Sequence, residues 1–232
     1  MQERVINSPW RHVLLENVFS DVEFEKICSE VVPLCQDYPD GEHVLYLYDA
    51  VKAGKISKEV SDIVVNMVDS LLVQKAHELL DQFDNVVKSD NGYFCVPQFN
   101  ITKNFSHGSH CDEVIKGYKT LTFLVYLSPN QSTGTLIYSD ESTYHSEVPW
   151  KPNSGVYFCP YPDDTWHAFK SDGEVRITLN LNLKRIEAFP TDIESLEQAK
   201  HFAPNMFYWL MDYVKQGKLF NTRLDLKSLL PK

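Results

Sequence analysis

Between about residues 92 and 183 the chain alternates apolar and polar positions, and before that stretch its apolar residues recur at three and four. In "VRITLNLNL" (175–183) Val175, Ile177, Leu179, Leu181 and Leu183 alternate with Arg176, Thr178, Asn180 and Asn182. "KTLTFLVYL" (119–127) sets Leu121, Phe123, Val125 and Leu127 against Thr120, Thr122, Leu124 and Tyr126, and "PQFNIT" sets Phe99 and Ile101 against Gln98, Asn100 and Thr102. Side chains alternate faces along a strand, so each segment predicts a strand with one greasy and one polar face. "YFCVPQFNITKNF", "GTLIYSD", "TYHSEVPW", "SGVYFCPY" and "TWHAF" complete a set of seven or eight short strands separated by Gly, Asn, Asp and Pro.

Helices flank this region. Ser20 and Glu23 form a capping box that opens "DVEFEKICSEVVPLC". From Ser57 a longer helix is expected, with Val60, Ile63, Val64, Met67, Val68, Leu71, Leu72, Ala76, Leu79, Leu80 and Phe83 on one broad face. A second capping box at 191–194 and an amphipathic segment "NMFYWLMDYVKQG" ending at Gly217 bring helices back after Pro190. The expected organisation is a single domain: helical support over 1–90, a β core over 91–187 and a helical extension over 188–232. "HVLYLYDAVKAGKIS" (43–57) reads as core, or as a lid, substrate wall or dimer contact. Helices with apolar stripes must cover the greasy strand faces, which leaves the polar faces turned into the space between two sheets. A polar interior suits a ligand and water, so the pattern predicts a sandwich or jelly roll with a polar cavity.

The formal charge of −10 in 232 residues argues against nucleic-acid binding, which needs a basic face for phosphates. Five cysteines (Cys28, Cys35, Cys95, Cys111, Cys159) without a CxxC pair read as free thiols. No stretch resembles a signal peptide or reaches the length of a membrane span, so a cytoplasmic soluble protein is the expectation, its oligomeric state open.

Against that background "HGSHCDEV" (107–114) stands out. His110 and Asp112, two apart at the end of the first core strand, project to one side and can chelate a cation. His167, in "DDTWHAF", returns in a late strand. Two imidazoles and one carboxylate on one face of an octahedron leave three positions open, the arrangement suited to non-haem Fe(II) and dioxygen. Nine positions later Arg176 lies on the polar face of the last long strand. A buried guanidinium is costly unless an anion pairs with it, and its planar fork fits a carboxylate. Thr178 shares that face, and Tyr126 and Thr122 come from the facing stripe. A ligand carboxylated at both ends, such as 2-oxoglutarate, could chelate the metal and rest its far end on Arg176.

The combination "HCD" … "WHAF" … "VRIT" resembles the Fe(II)/2-oxoglutarate-dependent dioxygenases. "SPWRHVLLENVFSDVEFEKI", "VYLSP" and "TGTLIY" are similar to segments of the prolyl-4-hydroxylase-like branch, over about residues 8 to 187. The resemblance implies a mainly β fold with flanking α, a double-stranded β-helix of cupin-like type. It implies His110, Asp112 and His167 as catalytic iron ligands, and Arg176 with Tyr126 on the distal carboxylate. Thr122, Leu136 and Thr178 would line the cosubstrate pocket. Asn100 stands where the branch often has tyrosine, and Asn100, Asn180, Asn182 and Trp166 are the expected substrate contacts. Fe(II), 2-oxoglutarate and O2 are the implied cofactors, with ascorbate as a further candidate. In halogenating relatives a small residue replaces the acid, so Asp112 favours hydroxylation.

The expected substrate is a small amino-acid-like metabolite. Alternatives are peptidyl-prolyl hydroxylation, a non-redox cupin-type metalloenzyme, and a dioxygenase-fold binding module. His107, His145 and Glu113 are competing donors. His107 lies in a glycine-containing loop, His145 has no arginine at the matching offset, and the i, i+2 spacing favours Asp112 over Glu113. Strand alternation points Cys111 away from the metal.

Overall fold

The computed structural model describes residues 1–185 other than 74, 85, 87, 90–92, 113–118 and 162. Its strands are β1 (Gln2–Ile6), β2 (His12–Glu16), β3 (Gly41–Tyr46), β4 (Tyr93–Lys103), β5 (His107–His110), β6 (Lys119–Ser128), β7 (Thr135–Tyr138), β8 (Tyr144–Val148), β9 (Ser154–Phe158), β10 (His167–Phe169) and β11 (Arg176–Arg185). They form a seven-stranded sheet in the order β1-β2-β9-β6-β11-β4-β3, facing a four-stranded sheet in the order β5-β10-β7-β8. The strand pairings among the described residues are antiparallel, as in a double-stranded β-helix. The capping box at 191–194, the segment ending at Gly217 and Glu113 lie outside the described residues.

The seven strands expected from alternation are present. β1, β2, β3 and β5 were not expected, and three of them fall in the segment read as helical support. "QERVI" is almost wholly exposed and carries no alternation that would mark a strand; it exists because β2 offers an edge to pair with. β3 likewise pairs the free edge of β4. The 43–57 segment divides between β3 and α2 (Leu47–Lys52), and Leu47, Ala50 and Ile56 join the core.

Helix α1 (Asp21–Cys35) opens at the Ser20–Glu23 capping box, with both reciprocal hydrogen bonds formed. The expected long helix is instead three pieces: α3 (Lys58–Met67), a π-helical segment (Val68–Val73) and α4 (Ala76–Leu80). Val60, Val64, Val68, Leu72, Ala76 and Leu80 are all buried and recur at a strict four. In an α-helix each step of four advances about 40° beyond a full turn, so that stripe would spiral off one face. The wider π turn winds part of the drift back. α1 packs on β6, and the π segment on β4 and β11. These contacts bury Phe99, Ile101, Leu121, Phe123, Leu179, Leu181 and Leu183 in one core and turn the alternate positions inward.

Gly155 shows how closely β6 and β9 approach. A Cβ there would lie 2.0 Å from the Leu124 carbonyl oxygen, a backbone atom that cannot swing aside. Gly155→Ala is expected to cost about 1–3 kcal/mol, read as an earlier midpoint in urea or thermal unfolding.

Candidate metal and anion site

The polar positions of β4, β6 and β11 meet in rows across the large sheet. Arg176 stands beside Thr102, Thr178 between Asn100 and Tyr126, Asn180 between Gln98 and Leu124, and Asn182 beside Thr122. Between these rows and the small sheet lies a cavity of about 380 Å³.

At one end β5 and β10 pair so that His110 and His167 are direct cross-strand partners, their rings 4.4 Å apart. His110 Nδ1 lies 2.8 Å from the Gly108 carbonyl and His167 Nδ1 lies 2.9 Å from the Thr165 carbonyl. A carbonyl only accepts, so each Nδ1 carries the proton and each Nε2 keeps its lone pair, the tautomer a metal ligand needs. Asp112 follows just beyond β5, a strand separate from β4 rather than the end of the first core strand. Thr122 Oγ1 donates to Asp112 Oδ2 at 2.5 Å, fixing the carboxylate from the large sheet. His167 Nε2 is 3.9 Å from Asp112 Oδ1, and one ligand atom from each of the three residues lies within 4.8 Å of the others. Two ligands with bonds near 2.1 Å stand at most about 4.2 Å apart, so small side-chain rotations bring this set onto one divalent ion. Two neutral imidazoles and one carboxylate fit iron(II) and leave half an octahedron open. Thr122→Val, which removes the hydrogen bond while keeping shape, is expected to weaken Mn(II) or Fe(II) binding about 10- to 100-fold in a metal titration.

At the other end Arg176 is only 7% exposed. Its guanidinium carbon sits 4.5 Å from the Phe169 ring centroid, 4.9 Å from that of Trp150 and 5.9 Å from that of Tyr126. Burial pushes its pKa down to about 10, with Tyr126, Asp172 and Glu42 acting in the opposite direction. It therefore remains a cation at neutral pH, and its buried Nε has no hydrogen-bond partner among the described residues. The rings attract the charge but supply no acceptor. Such a group is completed by an anion.

The other expected residues divide. Thr122, Thr178, Asn100, Asn180 and Asn182 all border the cavity. Tyr126 is fully buried behind it, its hydroxyl 2.7 Å from Thr135 Oγ1. Leu136 does not border the cavity; the neighbouring Thr135 does, because alternation along β7 gives the inward face to the odd positions. Trp166 is also outside the lining, which on this strand takes His167, Ala168 and Phe169. Phe169 and Trp150 were missed. Phe169 shares parity with His167, which was a readable signal, whereas Trp150 lies after β8 and had none. Glu42 borders the cavity because β3 carries it there.

Neither His107 nor His145 is one of the three converging donors. His107 borders the cavity with its ring 3.9 Å from that of His110, but is not among the three converging donors. His145 Nε2 sits 3.3 Å from Ser8 Oγ on the exposed face of β8. Cys111 borders the cavity too, and its sulfur faces backbone N–H groups of Asp163, Asp164 and Thr165; burial raises its pKa. All five cysteines are free.

No protein-family model and no curated protein sequence matches the chain. Solved structures do match in shape. A prolyl hydroxylase from Trichoplax adhaerens, in complex with a hypoxia inducible factor oxygen degradation domain peptide fragment, aligns with a TM-score of 0.55 at 13% identity, over 76% of this chain and 84% of that one. The collagen prolyl hydroxylase of Paramecium Bursaria Chlorella virus-1, in its 2OG complex, gives a TM-score of 0.50 at 13% identity, over 75% and 96%. SnoN, the non-heme alpha ketoglutarate dependent epimerase from nogalamycin biosynthesis, gives 0.51 at 12% identity, over 75% and 76%. The chain has the fold of the 2-oxoglutarate-dependent oxygenases. Among its described residues no helix is long and apolar enough to cross a membrane.

Proposed function

We propose that the protein is an Fe(II)- and 2-oxoglutarate-dependent hydroxylase acting on a small amino-acid-like metabolite. The observation that carries this reading is the pairing, across one cavity, of a two-histidine, one-carboxylate cluster with a buried, aromatic-lined arginine whose Nε has no partner among the described residues. His110, Asp112 and His167 would hold iron, and Arg176 would receive the distal carboxylate. Iron bound there supplies the activation of dioxygen, and the overall change converts 2-oxoglutarate, O2 and a C–H bond into succinate, CO2 and an alcohol.

The residues of the chain do the positioning. The Gly108 and Thr165 carbonyls hold the imidazoles, and Thr122 orients the carboxylate. Phe169, Trp150 and Tyr126 keep water from Arg176, so a carboxylate meets it in a low-dielectric setting where a two-pronged ion pair is strong. Thr135, tied to the Tyr126 hydroxyl, and Thr178 flank the path between the two ends. Asn100, Asn180 and Asn182 remain for the substrate.

Under argon, Fe(II) with 2-oxoglutarate is expected to give a weak visible charge-transfer band. In air, succinate release should rise with free amino acids in a screen that includes proline-containing peptides side by side. No band refutes the cosubstrate assignment; stimulation by peptides alone transfers the reading to peptidyl hydroxylation.

A further inference from the structure

The cavity carries a charge that the proposed chemistry does not use. Glu42 lies on β3, opposite Thr102, which in turn lies opposite Arg176, so three strands place the three side chains in one row. Among the described residues bordering the cavity, Glu42 is the sole carboxylate besides Asp112. It is exposed at the mouth and forms no ion pair or hydrogen bond with a described residue. On the reading above, on which this inference rests, the divalent ion and Arg176 together balance Asp112 and both carboxylates of 2-oxoglutarate. Loaded in this way the site is neutral except for Glu42.

The acceptors and donors along the wall agree with that balance. Asn182 Oδ1 is buried beside Thr122, bordering the cavity, with no hydrogen-bond partner among the described residues. Gln98 donates to Asn100 Oδ1 and Thr178 donates to Asn180 Oδ1, each at 2.9 Å, so both of these carbonyls are already engaged. Asn100 and Asn180 border the cavity, and with the carbonyls engaged their amide groups have N–H donors to offer a ligand. An unpaired acceptor near the metal end, amide donors along the middle and a carboxylate at the mouth form a graded surface.

We infer that Glu42 selects a substrate with a basic side chain, binding its ammonium or guanidinium group at the cavity mouth while the aliphatic stem runs along β4 and β11 toward the histidine–aspartate cluster. The row of Glu42 and the row of Asn182 are six residues apart along β11, about 20 Å of strand before side-chain reach is subtracted. A long, flexible side chain suits that span, as in lysine or arginine. A chain carrying a net −10 also draws cations toward its surface.

The test is calorimetric and needs no turnover. L-arginine and L-lysine, with uncharged L-citrulline and L-norleucine as matched controls, are titrated into the full chain loaded with Mn(II) and 2-oxoglutarate. At least one basic amino acid should bind about tenfold or more tightly than its neutral counterpart, and Glu42→Gln should erase most of that preference. Glu42 is exposed on an edge strand, so the variant should melt with the parent. Equal affinity for charged and neutral members, no binding by either basic amino acid, or a preference that survives Glu42→Gln overturns the inference. Failure of the parent protein to take up 2-oxoglutarate appears in the loading titration and refutes the proposed function itself.

Discussion

Asp112→Ala is expected to abolish substrate-coupled 2-oxoglutarate turnover, a fall of about a thousandfold or more, as befits several kcal/mol of lost metal-centred stabilisation. The substitution leaves two neutral imidazoles facing each other across β5 and β10 and removes the only negative charge of the donor set. It also strands the Thr122 hydroxyl, which donates to this carboxylate. Asp112 lies beyond the end of β5 and is absent from the apolar core, so its loss should spare the fold. Succinate release and Mn(II) titration measure the effect, and circular dichroism checks the fold. A variant that retained full activity would remove Asp112 from the proposed ligand set.

Arg176→Ala should raise the half-saturating concentration of 2-oxoglutarate about 30- to 3,000-fold, the range for losing one partner of a buried charge pair. Arg176→Lys should recover only part of this, because an ammonium neither forks onto a carboxylate nor stacks between Phe169 and Trp150. The stability effect has a different sign. Among the described residues the buried guanidinium has no ion-pair partner, so Arg176→Leu should melt no lower than the parent in ligand-free buffer. An unchanged half-saturation in the alanine variant excludes Arg176 as the cosubstrate anchor.

The parts of this site that could be read from the sequence are those governed by strand parity. Arg176, Thr178, Asn180 and Asn182 alternate with residues buried under helices, and that pattern alone turned them inward. Parity accounts for Leu136 as well, which stands one position from Thr135, the β7 residue that borders the cavity. Edge strands escaped because their pairing comes from a neighbour rather than from their own pattern: "QERVI" pairs β2 while nearly all of it faces solvent. Glu42 escaped with them, since its place in the cavity depends on the β3–β4 register. The break in the long helix left a trace in the unbroken four-residue repeat of Val60 to Leu80, a period too wide for an α-helix and too narrow for an ideal π-helix.

The strand register has a thermodynamic consequence. Neighbours in the pocket wall come from distant parts of the chain: residue 176 lies beside 102, and 182 beside 122. No short segment can assemble the pocket, so a ligand that needs both ends of it recognises only the closed roll. Occupancy then becomes a reporter of folding: a cosubstrate present at a hundred times its dissociation constant would add about 2.7 kcal/mol to the apparent stability.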